Sequence, residues 1–489
     1  MSNCKQTINI EERMNLFKKY LDHTGMDHKQ YQYDGVRWIL NNELSIHPIC
    51  GVRGGFIADE MGLGKTIMMI GAFLSNQLER TIIVVPPILV DQWYVQIYKT
   101  TGHKSLIYHG YDKKTITIEQ LNKAKIVITS YGTICLNKNK ELTLLHDIKW
   151  SRVVFDEAHH LRNSKTTRFK GSKLLSNKSQ IVWLVSGTPV QNKKDDFYSL
   201  CSILKLPSSF YTETENLRQL ARTFILKRTK QQVGIRLPDV ITDKNMVNWN
   251  NRFEMELSEE IHSALAFSRV SSTKSNKPLV TGMKNHGVLH LLLNARQSCI
   301  YPKLIQKRVE SMVDMSLYNN AFNSSSKLDF VIKTILERKD NGCGKLIFCH
   351  FRQEIDEIAT RLRLGGMQNV ATFDGRTNSV QRFNILNDKN QALILQIQTG
   401  CEGLNLQQNY NEIYFISPHW NPAIEDQAIA RCHRIGQNKS VVVQRFEMCN
   451  FTTDEEENVE NIINTVTIDK YVGKIQDYKR IIAEECIQV

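Results

Sequence analysis

Short apolar runs alternate with stretches of helical periodicity along most of this chain, and the alternation breaks once, in the middle. Before the break, Phe56-Ile57-Ala58 and residues 81–85, 106–108, 126–129, 152–155 and 181–185 read as buried strands. Residues 30–40 space their apolar side chains on one face of a helix just ahead of the first strand. Such alternation is the pattern of a parallel sheet covered on both faces. Residues 241–325 lose it and carry polar clusters at 271–277 and 323–326, which read as loops around a helical insertion. It returns with strands expected at 345–351, 370–373, 392–396, 412–416 and 441–446. At 489 residues the chain exceeds what one core serves. The expected fold class is therefore α/β: two parallel-sheet lobes and a helical insertion. The expected division is an N-terminal extension (1–28), a first lobe (29–240), the insertion and linker (241–325), a second lobe (326–470) and a C-terminal helix (471–489).

Candidate chemistry gathers at strand ends. Asp59-Glu60-Met61-Gly62-Leu63-Gly64-Lys65-Thr66 joins a strand to an apolar helix. Gly62 and Gly64 allow successive N–H groups to turn inward on phosphate oxygens at a helix N-terminus. Lys65 is then placed for the β- and γ-phosphates of ATP and Thr66 for Mg²⁺. Asp59 departs from the phosphate-turn pattern, which has a glycine there. A glycine turn capping a buried helix is the purely structural alternative. Gln32, on the exposed side of the preceding helix, offers an amide that can pair with an adenine edge. The strand at 152–155 delivers Asp156 and Glu157 at its C-terminal end, the ligand-binding edge of an open α/β sheet. Asp156 suits Mg²⁺, and Glu157 is placed to orient or deprotonate the water that attacks the γ-phosphate. Residues 186–192 follow the next strand at the same edge and read as a coupling element.

Bulk composition narrows the partners. Lysine and arginine total 63 against 50 acidic residues, a net charge of +13, which favours an anionic partner such as nucleic acid. Eleven cysteines include no C-x-x-C pair, so neither a disulfide framework nor a zinc site is indicated. The N-terminus opens no signal peptide, and the apolar runs are too short to cross a bilayer, so a soluble chain inside a cell, without a membrane partner, is expected.

Taken in order, residues 59–66, Ser130-Tyr131-Gly132-Thr133, residues 156–159 and Ser186-Gly187-Thr188-Pro189 resemble the motifs of superfamily-two helicase motors. Residues 191–200, the basic run 224–230 with Leu237-Pro238, and residues 291–297 with Tyr301-Pro302 resemble the Swi/Snf-type branch. Residues 420–437 are similar to its final motif almost residue for residue. Arg431 and Arg434, three apart, are expected on one helix face, aimed at a single anionic target as an arginine finger. The resemblance implies two RecA-like lobes with a nucleotide cleft between them. It also implies that Gln427 contacts the nucleotide and that Ser130, Tyr131, Thr399, Gly400 and Trp420 contact nucleic acid. Cys401 and Ser417-Pro418-His419 depart from the family pattern. The basic run at 224–230 is expected along a nucleic-acid path, at an interlobe hinge or on a solvated face. The implied activity is ATP- and Mg²⁺-dependent translocation on double-stranded DNA, with RNA a possible track. A strand-separating helicase and a nucleic-acid-binding scaffold with an inactive nucleotide site are the alternatives. A bare motor of this composition fits a large DNA virus, hence a nuclear location or a site of viral DNA replication or transcription.

Overall fold

The computed structural model describes residues 9–136, 142–187, 194–265, 267, 278–284, 287–400, 404–451 and 466–487. The chain divides into two compact units, residues 1–236 with 479–489, and residues 237–478. No helix among the described residues is long and apolar enough to cross a membrane.

The first unit is a wholly parallel seven-stranded sheet. Its strands are β1 (Arg53–Ile57), β2 (Thr81–Val85), β3 (Leu106–Tyr108), β4 (Ile126–Ser130), β5 (Trp150–Asp156), β6 (Ser179–Val185) and β7 (Ile225–Leu226), in the order β3-β4-β2-β5-β6-β1-β7. Both faces are buried, because successive side chains of a strand point to opposite sides. Ile82 and Val84 pack into one core with Phe155 and Leu184, while Ile83 and Val85 pack into another with Val154, Trp183 and the helix Lys65–Ser75. On the face of Val154 and Trp183 lies a buried charge cluster. Glu43 accepts from Arg152 Nε at 2.6 Å, Arg152 Nη2 at 2.5 Å, Asn76 Nδ2 at 2.7 Å and Trp183 Nε1 at 2.8 Å. Register aligns Ile57, Val185 and Asp156 in one row across β1, β6 and β5. The segments leaving these three strands therefore emerge side by side, spanning about 10 Å at ordinary strand spacing.

The second unit is a parallel six-stranded sheet of β8 (Val240–Val247), β9 (Lys345–Cys349), β10 (Val370–Phe373), β11 (Ala392–Gln396), β12 (Glu412–Phe415) and β13 (Val441–Met448), ordered β10-β11-β9-β12-β13-β8. Here the structure corrects the expectation for residues 241–325. That segment begins inside a strand, paired with β13 over eight residues. Its helices Arg252–His262 and Val288–Ile300 share one core with Ile347, Tyr414 and Ile416. The reason β8 escaped notice is physical: it is an edge strand, mostly exposed, with Thr242, Asp243, Lys244 and Asn245 in its middle. Polar and charged residues on such an edge discourage further strand addition and erase the apolar signature. The final helix runs Ile468–Ile487.

Candidate functional site

Main chain defines the turn after β1. Ala58 N–H donates to Leu226 O at 2.7 Å and Glu60 N–H to Arg228 O at 2.9 Å, extending the β1–β7 pairing into the loop. Gly62 (φ 93°) and Gly64 (φ 82°) take left-handed angles that turn the chain into the helix Lys65–Ser75. A Cβ on Gly64 would stand 2.6 Å from Gln32 Nε2, so a side chain there would displace the Gln32 amide. Lys65 Nζ donates to Asp59 O at 2.8 Å, and Thr66 sits half-buried on the first helical turn.

Gln32 is not on an exposed side. It is buried, and Nε2 donates to Leu63 O at 3.3 Å, because the helix Gln30–Glu43 lies against the turn. The side chains of Asp59 and Glu60 are likewise committed: Asp59 pairs with Arg228, and Glu60 accepts from Lys230 Nζ at 2.9 Å. Met61 and Leu63 fill the turn, and a Cβ on Gly187 would stand 3.1 Å from Met61 Cγ. Ser186-Gly187 thus adjoins the phosphate turn, while Thr188 to Asn192 lie outside the described residues.

Asp156 ends β5, its Oδ2 accepting from Trp93 Nε1 at 2.7 Å and its Oδ1 from Glu157 N–H at 3.0 Å. Its pKa is pushed up to about 6, mainly by burial and then by the Glu157 charge, while the Trp93 bond and the positive charge of Lys65 pull the other way. A desolvated carboxylate in this condition is short of positive charge. Carboxylate oxygen, like the hydroxyl oxygen that Thr66 carries, is a donor suited to a hard divalent cation. Among the described residues no group of three or more His, Cys, Asp or Glu is placed to hold a metal. Such a cation would need phosphate oxygens to complete its shell, as Mg²⁺ does. Glu157 has φ 49° and ψ 50°, a left-handed conformation costly for a side chain of its size and one that accumulates at functional sites. Its Oε2 lies 3.3 Å from His159 Nδ1, which in turn is 3.5 Å from Ser186 Oγ.

Ser130 and Tyr131 join β4 to a short helix. Both are buried: Ser130 Oγ caps the short helix Tyr131–Ile134, and Tyr131 OH donates to Asp156 O at 2.7 Å. Tyr131 thus steadies the main chain at the end of β5, and of this motif only Gly132 is exposed. Trp93 was missed by the sequence reading. A buried indole N–H demands an acceptor, but nothing near Trp93 in the chain says that the acceptor is Asp156.

In the second unit, the helix Pro422–Ile429 starts on an Asn421 cap and holds Gln427 buried. Arg431 and Arg434 are not on its face, contrary to expectation. Past Ile429 the bonding shortens, with Arg431 N–H to Ala428 O and Arg434 N–H to Cys432 O, and the arginines lie in the resulting turn. They still share one electrostatic neighbourhood. Burial first, and the Arg431 charge second, lower the pKa of Arg434. Arg434 Nη1 donates to Asn405 Oδ1, and Gln437 Nε2 closes the turn on Gln407 O and Tyr410 O, each at 3.0 Å. Trp420 is half-buried, with Arg296 Cζ 5.3 Å from its ring and Tyr471 packed edge-on. Thr399 and Gly400 end the short helix Ile397–Gly400 that follows β11. Cys401 lies outside the described residues.

Comparison with known proteins matches residues 31–304 to the SNF2-related domain and residues 326–436 to the helicase conserved C-terminal domain. The chain is 26% identical to a probable global transactivator of Orgyia pseudotsugata multicapsid polyhedrosis virus, over 92% of this chain and 91% of that one. It is 28% identical to an uncharacterized ATP-dependent helicase of Mycoplasma pneumoniae, over 89% of this chain but only 41% of that protein. The chain thus spans nearly the whole viral relative and less than half of the bacterial one. Among solved structures, a Sulfolobus solfataricus SWI2/SNF2 ATPase core in complex with dsDNA is 23% identical, covering 94% of this chain and 93% of that chain with a TM-score of 0.39. With one domain of the family spanning the glycine turn and the Asp156-Glu157 edge, and the next spanning the arginine turn, the chain belongs to the SNF2-related family.

Proposed function

We propose that this chain is a motor that hydrolyses ATP, with Mg²⁺, to move along double-stranded DNA and to remodel or clear protein bound there. One observation carries the reading: Lys65 of the glycine turn and the Asp156-Glu157 pair leave the same sheet edge, near enough for Lys65 to act on the Asp156 charge. The helicase C-terminal domain and the relative named as an ATP-dependent helicase support it.

In this reading the N–H groups of residues 62–66 and the Lys65 ammonium hold the β- and γ-phosphates. Thr66 and Asp156 hold Mg²⁺, which when bound neutralises charge on the oxygens of the transferred phosphoryl group. Glu157 orients the attacking water and takes its proton. Arg431 and Arg434 are the charges offered to a transferring phosphoryl group, and Gln32 and Gln427 the amides offered to a nucleotide. Thr399, Gly400 and Trp420 serve the nucleic-acid side through contacts to backbone, so little sequence preference is expected. The working location is the nucleus or a site of viral DNA replication or transcription.

The test is steady-state ATP hydrolysis at low salt with no nucleic acid, single-stranded DNA, duplex DNA or RNA, using Lys65→Ala as the blank. Stimulation by duplex DNA is expected, with no hydrolysis above background in the variant. Stimulation chiefly by single strands or RNA moves the reading to a strand-separating helicase. Hydrolysis that survives Lys65→Ala removes the assigned site.

A further inference from the structure

Asp59 stands where the phosphate-turn pattern has a glycine, and its carboxylate is wholly buried. A buried carboxylate is tolerated only when it is paired. Arg228 pairs it through two bonds, Nε at 3.0 Å and Nη2 at 2.5 Å. The same guanidinium reaches further: Nη1 donates to Tyr31 O, Nη2 lies 3.4 Å from Met68 Sδ, and Cζ stands 5.7 Å from the Tyr31 ring centroid. Tyr31 precedes Gln32, which holds Leu63 O, and Met68 lies on the helix headed by Lys65. One side chain therefore touches the helix before the turn, the turn itself and the helix after it. The main-chain carbonyl of the clamped residue, Asp59 O, is the acceptor of Lys65 Nζ at 2.8 Å. Lys230 repeats the arrangement one step along, its N–H donating to Glu60 Oε2 at 2.7 Å and its Nζ lying 2.9 Å from Glu60 Oε1.

We infer that Arg228 is a positioning residue of the nucleotide turn: acting through Asp59, it sets where Lys65 and the N–H groups of residues 62–65 stand. The inference rests on reading that turn as the ATP site. It also reassigns part of the basic run at 224–230, since Arg228 and Lys230 face the turn from within the first unit. Lysine cannot replace Arg228 fully, because a single ammonium does not match a carboxylate with two parallel bonds while also reaching the Tyr31 carbonyl.

The full chain is compared as wild type, Arg228→Lys, Arg228→Met and the double variant Asp59→Asn with Arg228→Met. The readouts are thermal unfolding, titration with a fluorescent ADP analogue, and KM and kcat for ATP. Arg228→Met alone strands a buried charge and melts early or fails to fold. The double variant removes both charges and recovers its melting temperature. Its nucleotide affinity nevertheless falls roughly tenfold or more, with kcat at saturating ATP held within about threefold. Arg228→Lys recovers part of that affinity. Wild-type affinity in the double variant, or affinity that follows melting temperature across the set, overturns the inference. A wild-type chain that neither binds the analogue nor hydrolyses ATP overturns the ATP reading and the inference with it; no other outcome touches that reading.

Discussion

The glycine turn of the first unit and the arginine turn of the second are held in place by opposite means. Around the glycine turn the scaffold is ionic: Asp59 with Arg228 and Glu60 with Lys230. Around the arginine turn, side-chain amides and main chain make the bonds. Gln437 binds main-chain carbonyls, Asn405 accepts from Arg434, and Leu406 N–H donates to Arg431 O at 3.1 Å. The difference follows from which groups are left to do the binding. A turn that offers main-chain N–H groups can lock its charged side chains into structure. The arginine turn is tied through main chain and side-chain amides, and burial first and the neighbouring Arg431 charge second lower the pKa of Arg434.

The largest effect that tests this contrast is expected from Arg434→Ala. A charge delivered to a transferring phosphate is worth about a thousandfold in kcat or more, so turnover should collapse while nucleotide affinity changes little. Lost affinity with intact kcat would place Arg434 in binding and end the contrast. Next comes Glu157→Gln, expected to lower turnover about a hundredfold or more while ATP remains bound. Normal turnover in that variant removes the base role. Gln437→Ala is expected to loosen the arginine turn, costing about 1–3 kcal/mol through unsatisfied carbonyls. Its kcat should fall further than its ATP affinity, as read by single-turnover kinetics beside equilibrium binding. The smallest effect is expected from Trp93→Phe. Asp156 must be ionised to serve, so at limiting Mg²⁺ activity should rise with pH through about 6. The indole N–H stabilises the ionised form; without it the carboxyl titrates higher, and the acid limb of the profile should move up by roughly one unit or less. A downward shift would contradict the assigned bond.

What the sequence made legible is what neighbours in the chain decide among themselves. Strand, glycine turn and helix across residues 56–74 need only local pattern, and so does a carboxylate pair at the end of an apolar strand. Distant partners escaped. Trp93 and Asp156 are 63 residues apart, and Arg228 and Asp59 are 169 apart. Spacing of three put Arg431 and Arg434 on a helix, but the helix stops at Ile429 and the turn beyond it is closed by residues 405–410. Nothing near Tyr131 in the chain says that its hydroxyl ends on the main-chain carbonyl of Asp156. Strand β8 was missed because an exposed edge need not be apolar.

The contact between Trp93 and Asp156 also makes the chain its own optical sensor. Indole emission responds to the electric field along the ring, and here the ring N–H ends on the carboxylate proposed to receive the cation. Loading or emptying that position changes the field at a single chromophore. Replacing the other five tryptophans with phenylalanine or tyrosine would leave Trp93 as the sole emitter, able to time nucleotide loading within each catalytic cycle without an added label.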